Sequence, residues 1–275
     1  MTYATLMVHL ELGRSNASLL QIAGDLAERF NAGVIGIAAC QPMPVVYDAG
    51  YVSGEYIEQD RAELERGINE AEAEFRGSLQ PRVGTLEWRS AVMFTSLANY
   101  LAIEARSADL VITGVASGNL FDASRAMNTG ALVMQVGRPV FIVPTAADKL
   151  KLDRVVVGWK DTRETRRAAF DALPLLKKAA HVSVVEIAAA EELAAARTRL
   201  ADVVGWLKRH GVVAEPLVSP STIDDATGLY AIANDQGADV IVAGAYGHSR
   251  LREWVLGGVT RDLLLSADRC SLLSH

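Results

Sequence analysis

Short apolar runs alternate with longer amphipathic stretches along the whole chain. The runs are rich in β-branched residues and have the length of strands buried in a parallel sheet, whereas the stretches between them place apolar residues at helical spacing. The pattern predicts strands at residues 5–8, 33–38, 85–92, 110–113 and 140–143, and again at 154–157, 182–187, 212–218, 240–243 and 271–273. It predicts helices at 18–30, 56–79, 96–105 and 128–136, and then at 162–179, 191–209, 222–235 and 259–265.

The two halves of this pattern are copies of one unit. Residues 107–114 (SADLVITG) match residues 237–244 (GADVIVAG) at an offset of 130, whereas residues 6–8 match 155–157 at an offset of 149. The first copy therefore carries about twenty extra residues, the difference between the two offsets, and the prolines and glycines within 41–60 place the insertion there. Such an insertion is either a functional loop or a disordered segment without a function, and the sequence leaves both alternatives open.

This organisation predicts an α/β fold with two tandem open parallel-sheet units with helices on both faces, of the Rossmann-like type that is common in nucleotide-binding proteins. The predicted domains are 1–146 and 151–275, and a short polar linker at 144–152 contains the boundary. Ligands of such sheets lie outside the carboxyl ends of the strands, where the strand order reverses.

A glycine-rich segment follows the predicted strand at 240–243. Its notable residues are Gly244 and Gly247 and, after nine further residues, Gly257, Gly258, Val259 and Thr260. Glycines at this spacing, between a strand and a helix, let backbone N–H groups and a helix N-terminus approach phosphate oxygens. A tight turn before a glycine-containing helix start is the alternative, but the number of glycines favours a phosphate loop.

These residues resemble the nucleotide-binding signature of the universal stress protein family: Gly, two residues, Gly, nine residues, Gly, then Ser or Thr. Gly244, Gly247 and Gly257 match its glycines, Gly258 stands where the family's ATP binders carry a hydroxyl, and Thr260 matches a second hydroxyl. The resemblance implies binding of ATP or a related adenine nucleotide, with Mg²⁺ accompanying it, and a role in stress response. It also implies that the last strands of the two units, 139–143 and 271–273, pair with each other.

The turn after the strand at 154–157 is the second part of the predicted site, with Gly158, Trp159 and Lys160 as its nucleotide-binding residues. In the resembled family this turn contacts adenine and ribose through an aspartate, whose place Lys160 takes here. Lys160 contacts phosphate or points into water, and Trp159 stacks on a base or packs in the core. Thr162 is predicted to cap the following helix, with Glu164 in its first turn.

The first copy lacks these features. It keeps Gly114 but has Ser117 in the place of Gly247, and Asn128-Thr129-Gly130 stand in the place of residues 258–260. Its first turn, around His9, also departs from the family pattern. We therefore predict that this half binds no nucleotide and has a structural or partner-binding role.

Composition and missing motifs exclude several functions. Half of the 275 residues are hydrophobic, so the chain can bury two cores, and the net charge of −6 opposes binding to nucleic acid or anionic membranes. The five histidines and two cysteines show no metal-ligand spacing, and no catalytic motif is present, which predicts slow ATP hydrolysis at most. The absence of a signal peptide or apolar span predicts a cytoplasmic protein.

The sequence favours a regulatory protein that works through an unidentified protein partner. The pairing of its own two domains is expected, and a homodimer is compatible with the sequence. A nucleotide-free scaffold protein with a lapsed site is the alternative. An adenylating ligase of the wider nucleotide-binding α/β class is a third reading.

Overall fold

The computed structural model describes residues 2–42, 54–115, 127–221, 225–246, 263 and 268–275. In the first half, the elements are β1 (Thr5–His9), α1 (Ala17–Phe30), β2 (Gly33–Cys40), α2 (Gly54–Leu79), β3 (Leu86–Val92), α3 (Leu97–Glu104), β4 (Leu110–Gly114), α4 (Thr129–Gln135) and β5 (Val140–Val143). Residues 54–60 of the predicted insertion belong to α2, and residues 43–53 lie outside the described ranges.

The second half repeats this order. Its elements are β6 (Arg154–Trp159), α5 (Arg163–Asp171), α6 (Leu173–Leu176), β7 (His181–Ala188), α7 (Leu193–Arg209), β8 (Ala214–Pro220), α8 (Asp225–Asp235), β9 (Val240–Gly244) and β10 (Cys270–Ser274). The helix predicted at 259–265 lies outside the described residues, apart from residue 263.

The strands form one sheet in the order β3-β2-β1-β4-β5-β10-β9-β6-β7-β8. Within each half all neighbours are parallel, and both halves have the same doubly wound order. The order reverses between β1 and β4 in the first half and between β6 and β9 in the second. These are the two places where the fold offers a ligand crevice.

The last strands of the two halves join the sheet at its centre. Strand β5 pairs antiparallel with β10, and Phe141 lies opposite Leu272. The predicted pairing of these strands is confirmed. Because they pair antiparallel, the strands of one half run opposite to those of the other half. The carboxyl ends of the two sets, and with them the two switch points, therefore lie on opposite sides of the molecule along the strand direction.

Helices cover both faces of the sheet, as predicted. One face carries α1, α2 and α5–α7 over side chains such as Val8 and Val157, and the other carries α3, α4 and α8 over side chains such as Met7 and Val156. Both apolar layers run through the two halves without interruption. Within the described ranges, no helix is long and apolar enough to cross a membrane.

The segment between the halves is anchored to α1 by two buried leucines. Leu150 and Leu152 are buried. The backbone N–H of Leu150 donates to Asp25 Oδ2 (2.9 Å), and Arg29 Nη2 donates to the Leu150 carbonyl oxygen (3.1 Å). The predicted linker at 144–152 is thus anchored by its two leucines, which join the common core. The domain bounds of 1–146 and 151–275 stay a prediction.

The long helix predicted at 162–179 is interrupted. Helix α5 ends at Asp171, and Pro174 lies in the first turn of the short helix α6. Proline has no N–H to donate to the carbonyl four residues earlier, and its ring collides with that carbonyl. The break was therefore readable from the sequence, although the prediction missed it.

Two aspartates hold the starts of neighbouring strands. Asp109 Oδ2 accepts hydrogen bonds from the backbone N–H groups of Ala4 (2.8 Å) and Thr5 (3.0 Å). Asp239 Oδ2 accepts the equivalent pair from residues 153–154, at 2.8 and 2.9 Å. This contact gives a structural reason for the Ala-Asp that both copies share.

Replacing Asp239 by alanine should lower the free energy of unfolding by about 1–2 kcal/mol, because two backbone amides lose a charged acceptor and only partly regain it from water. Asp239→Asn, whose amide oxygen still accepts, should lose less. Urea unfolding of both variants measures the difference. An alanine variant as stable as the parent would contradict this role.

Candidate functional site

The switch point of the second half brings together four of the predicted nucleotide-binding residues. Strands β6 and β9 lie side by side, with Gly158 opposite Ala243, so Gly158, Trp159 and Lys160 share the carboxyl edge with Gly244. The remaining predicted residues, Gly247, Gly257, Gly258, Val259 and Thr260, lie outside the described ranges. Their contact with phosphate stays a prediction.

Both described glycines of this edge permit close packing of helices. A Cβ on Gly244 would lie 2.5 Å from the backbone nitrogen of Thr165, in the first turn of α5. A Cβ on Gly158 would lie 2.9 Å from Cδ2 of Leu229, on α8. The glycine at 244 is therefore explained by the approach of a helix backbone, and the sequence pattern alone did not reveal this reason.

The N-terminus of α5 is already occupied by side chains of its own chain. Thr162 Oγ1 accepts a hydrogen bond from the Thr165 N–H (3.4 Å), as the capping prediction requires. Glu164 is buried beside it and forms an ion pair with Arg163. Burial raises the pKa of the Glu164 carboxyl, but hydrogen bonds from Arg163, its own backbone amide and Thr162 outweigh burial and hold this pKa below its usual value. The Thr162 hydroxyl and an ionised Glu164 carboxylate thus occupy this helix end.

Lys160 is engaged with an acidic side chain from a neighbouring element. Its Nζ lies 3.0 Å from Oδ2 of Asp225, the first residue of α8, and both side chains are about half exposed. The pair ties the turn after β6 to the start of α8 at the rim of the crevice. Sequence reasoning had no signal for this contact, because the residues are 65 positions apart.

Trp159 packs in the core of the second half. Its indole lies against the apolar layer under α5–α7, and its register partner on β7 is Glu186. Glu186 is buried and its Oε1 accepts a hydrogen bond from Arg199 Nε at 3.0 Å. Trp159 Nε1 and Glu186 Oε2 have no hydrogen-bond partner among the described residues. The core-packing alternative for Trp159 therefore describes this structure.

The switch point of the first half is filled by a buried polar pair. His9 Nδ1 lies 3.0 Å from Thr113 Oγ1, across the boundary between β1 and β4. Both residues are buried, and burial lowers the pKa of the His9 imidazole to about 4, so the ring is neutral at pH 7. The repeat offsets place Gly158 and Ala243 at the same two positions of the second half. Comparing the copies position by position would have found this difference from sequence.

Helix α4 of the first half is capped by a side chain of its own chain. Asn128 Oδ1 accepts a hydrogen bond from the Ala131 N–H (2.8 Å), and Thr129 is buried. Asn128 occupies the place of Gly258 in the second copy. A side chain therefore takes up the helix-end amide that a phosphate would need. Ser117, the other departure in this half, lies outside the described residues.

Metal-binding clusters are absent from the part of the chain that the structure describes: no three His, Cys, Asp or Glu side chains lie close enough together to hold an ion. Cys40 and Cys270 are both buried, and neither forms a disulfide.

Comparison with known proteins shows the fold. No protein-family model matches the chain, and no curated protein matches its sequence. A universal stress protein from Archaeoglobus fulgidus DSM 4304 aligns over 98% of this chain and 95% of its own, with a TM-score of 0.73 and 14% sequence identity. A putative universal stress protein from Pseudomonas aeruginosa UCBPP-PA14 aligns over 99% and 93%, with a TM-score of 0.59 and 16% identity. The chain thus has the fold of universal stress proteins along its whole length.

Proposed function

We propose that this chain, which has the universal stress protein fold, is a regulatory protein that binds ATP or a related adenine nucleotide in its C-terminal half and acts in stress response. Nucleotide binding would alter a surface that a protein partner recognises. The proposal treats the chain as a binding protein with slow ATP hydrolysis at most.

The observation that carries this proposal is the difference between the two switch points. In the second half the last register pair between β6 and β9 is Gly158 opposite Ala243, and neither residue has a polar side chain. In the first half His9 and Thr113 fill the same positions and hydrogen-bond each other. Ligands of such sheets lie outside the carboxyl ends of the strands at the switch point. The second half lacks the buried polar pair there, so it is the better candidate.

The glycine spacing after β9 supports the same half. Backbone amides of Gly244, Gly247 and residues 257–259 would face the phosphates, and Thr260 would add a hydroxyl. Mg²⁺ would be held mainly by the phosphates themselves, as is usual for this ion. Lys160 would reach a phosphate only by leaving Asp225, so we assign it to the rim of the site.

Gly257→Val and Gly247→Val should each lower ATP affinity at least tenfold, because a branched side chain would displace phosphate from the backbone amides. Titration of the full chain with labelled ATP measures this. Gly118→Val, in the corresponding stretch of the first-half sequence, is the matched control and should bind like the parent. Parental affinity in both of the first two variants would show that the loop assignment is wrong.

A nucleotide-free scaffold is the second candidate, and two contacts favour it. Leu229 covers Gly158, and the Lys160–Asp225 pair spans the rim, so part of the crevice is already taken up by the chain. Denaturing the purified protein and analysing the supernatant by absorbance and mass separates the candidates. Stoichiometric adenine nucleotide excludes the scaffold; its absence, together with failure to bind added ATP, excludes the nucleotide-binding proposal.

A further inference from the structure

The two edges of the sheet are not equally protected. Strand β8 forms one edge. The Ser221 N–H donates to the Ala188 carbonyl oxygen (2.9 Å), which shows that the backbone groups of the odd-numbered residues point towards β7. By strand alternation the backbone groups of Ala214, Pro216, Val218 and Pro220 then point away from β7. Two of these four positions are prolines without an N–H, which is a common protection against pairing with another strand.

Strand β3 forms the other edge and lacks this protection. The Met93 N–H donates to the Cys40 carbonyl oxygen (2.9 Å), so the odd-numbered residues of β3 face β2. The N–H and C=O groups of Leu86, Trp88, Ser90 and Val92 consequently point away from the sheet. None of these residues is proline, and among the described strands none lies on that side.

The charges on β3 are complementary to those on β3 of a second copy that runs antiparallel to it. Glu87 and Arg89 project from one face, where Arg89 Nε lies 2.7 Å from Glu87 Oε1 and Arg89 Nη1 lies 2.8 Å from Glu104 Oε2. An antiparallel copy related by a twofold axis at Trp88 would place its Arg89 directly opposite Glu87, and its Glu87 opposite Arg89. The backbone N–H and C=O of Trp88 point away from β2, so this axis makes Trp88 and its copy a hydrogen-bonded pair. Glu87 and Arg89 of the two copies then lie at non-hydrogen-bonded positions, where opposite side chains are closer.

Exposed apolar side chains continue this edge. Val92 is 48% exposed and Phe94, just beyond the strand, is 88% exposed. In the register centred on Trp88 they run alongside residues 82–84 of the copy, where Gly84 offers no side chain and an added Cβ would meet nothing within 4 Å.

We propose that β3 is a self-association surface, on which a second copy of this chain pairs antiparallel about a twofold axis at Trp88 and joins two sheets into one. This interface is independent of nucleotide and uses neither switch point. It is isologous, so it closes with two copies.

Sedimentation velocity of the full chain over a wide concentration range tests this surface. The parent should show a concentration-dependent dimer. Ser90→Pro should abolish the dimer, because it removes an outward N–H and leaves the ladder to β2 intact. Ser90→Ala keeps that N–H and should associate like the parent. A parent that stays monomeric, or a Ser90→Pro variant that still dimerises, would overturn the proposal.

Charge reversal tests the register separately. Glu87→Arg alone and Arg89→Glu alone should each lower the association constant about tenfold or more, because each creates like-charged pairs across the axis. An equimolar mixture of the two variants should associate again, since every Arg then faces a Glu. A loss caused only by damaged folding would not be restored by mixing, and that result would also reject the register.

Discussion

Replacing Gly244 by alanine should lower the free energy of unfolding by about 3 kcal/mol, which is the upper end of what forced overpacking costs. The added Cβ would lie 2.5 Å from the Thr165 nitrogen, 2.7 Å from the Glu164 carbonyl carbon and 2.9 Å from the Thr165 Cα. All three are helix backbone atoms, which cannot rotate aside as a side chain can. Helix α5 would have to move away from β9, and its buried contacts with the centre of the sheet would loosen.

Gly114 is the matched control, because it holds the same place in the first copy. A Cβ on Gly114 meets no atom within 4 Å among the described residues, so Gly114→Ala should change stability by less than about 1 kcal/mol. Urea unfolding of the two variants, followed by circular dichroism, gives the comparison. Equal losses at the two sites would contradict the packing explanation for Gly244.

The second large effect concerns the dependence of stability on pH. Burial lowers the pKa of His9 from 6.5 to about 4, so between these values the unfolded chain binds a proton that the folded chain does not. Stability contributed by neutral His9 is therefore fully present above pH 6.5 and is lost as the pH falls towards 4. The full loss corresponds to about 3 kcal/mol, of which about 2 kcal/mol should appear by pH 5.

The variant His9→Gln isolates this contribution, because it has no group that titrates in this range. Its free energy of unfolding should fall less between pH 7 and pH 5 than that of the parent, by about 2 kcal/mol. Carboxylates that titrate in both proteins cancel in the difference. Parallel pH profiles would mean that His9 does not titrate as a buried group.

Periodicity predicted the fold because each strand is an apolar run bounded by turn residues. All ten predicted strands are present, and the differences lie at their ends. Strand β6, for example, continues past the apolar run to Trp159, because its backbone ladder with β7 extends to the pair Trp159–Glu186. The end of a strand depends on how far it pairs with its neighbour, and the local hydrophobic pattern holds no information about that neighbour.

The site was less accessible to sequence reasoning because its contacts are tertiary. The reason for glycine at 244 is the position of α5, and the partner of Lys160 comes from α8. The pair of His9 and Thr113 was within reach, since the repeat aligns these residues with Gly158 and Ala243. Sequence comparison of the two copies thus carried more information about the site than the glycine motif alone.

A crystal structure of the full chain grown with ATP and Mg²⁺ tests the central claim most directly. We predict density for one nucleotide per chain at the carboxyl edge of β6 and β9, with its phosphates over the segment that begins at Gly244. The edge at His9 should hold no nucleotide. Density at His9, or a nucleotide-free edge beside Gly158 at saturating ATP, would contradict the assignment of binding to the C-terminal half.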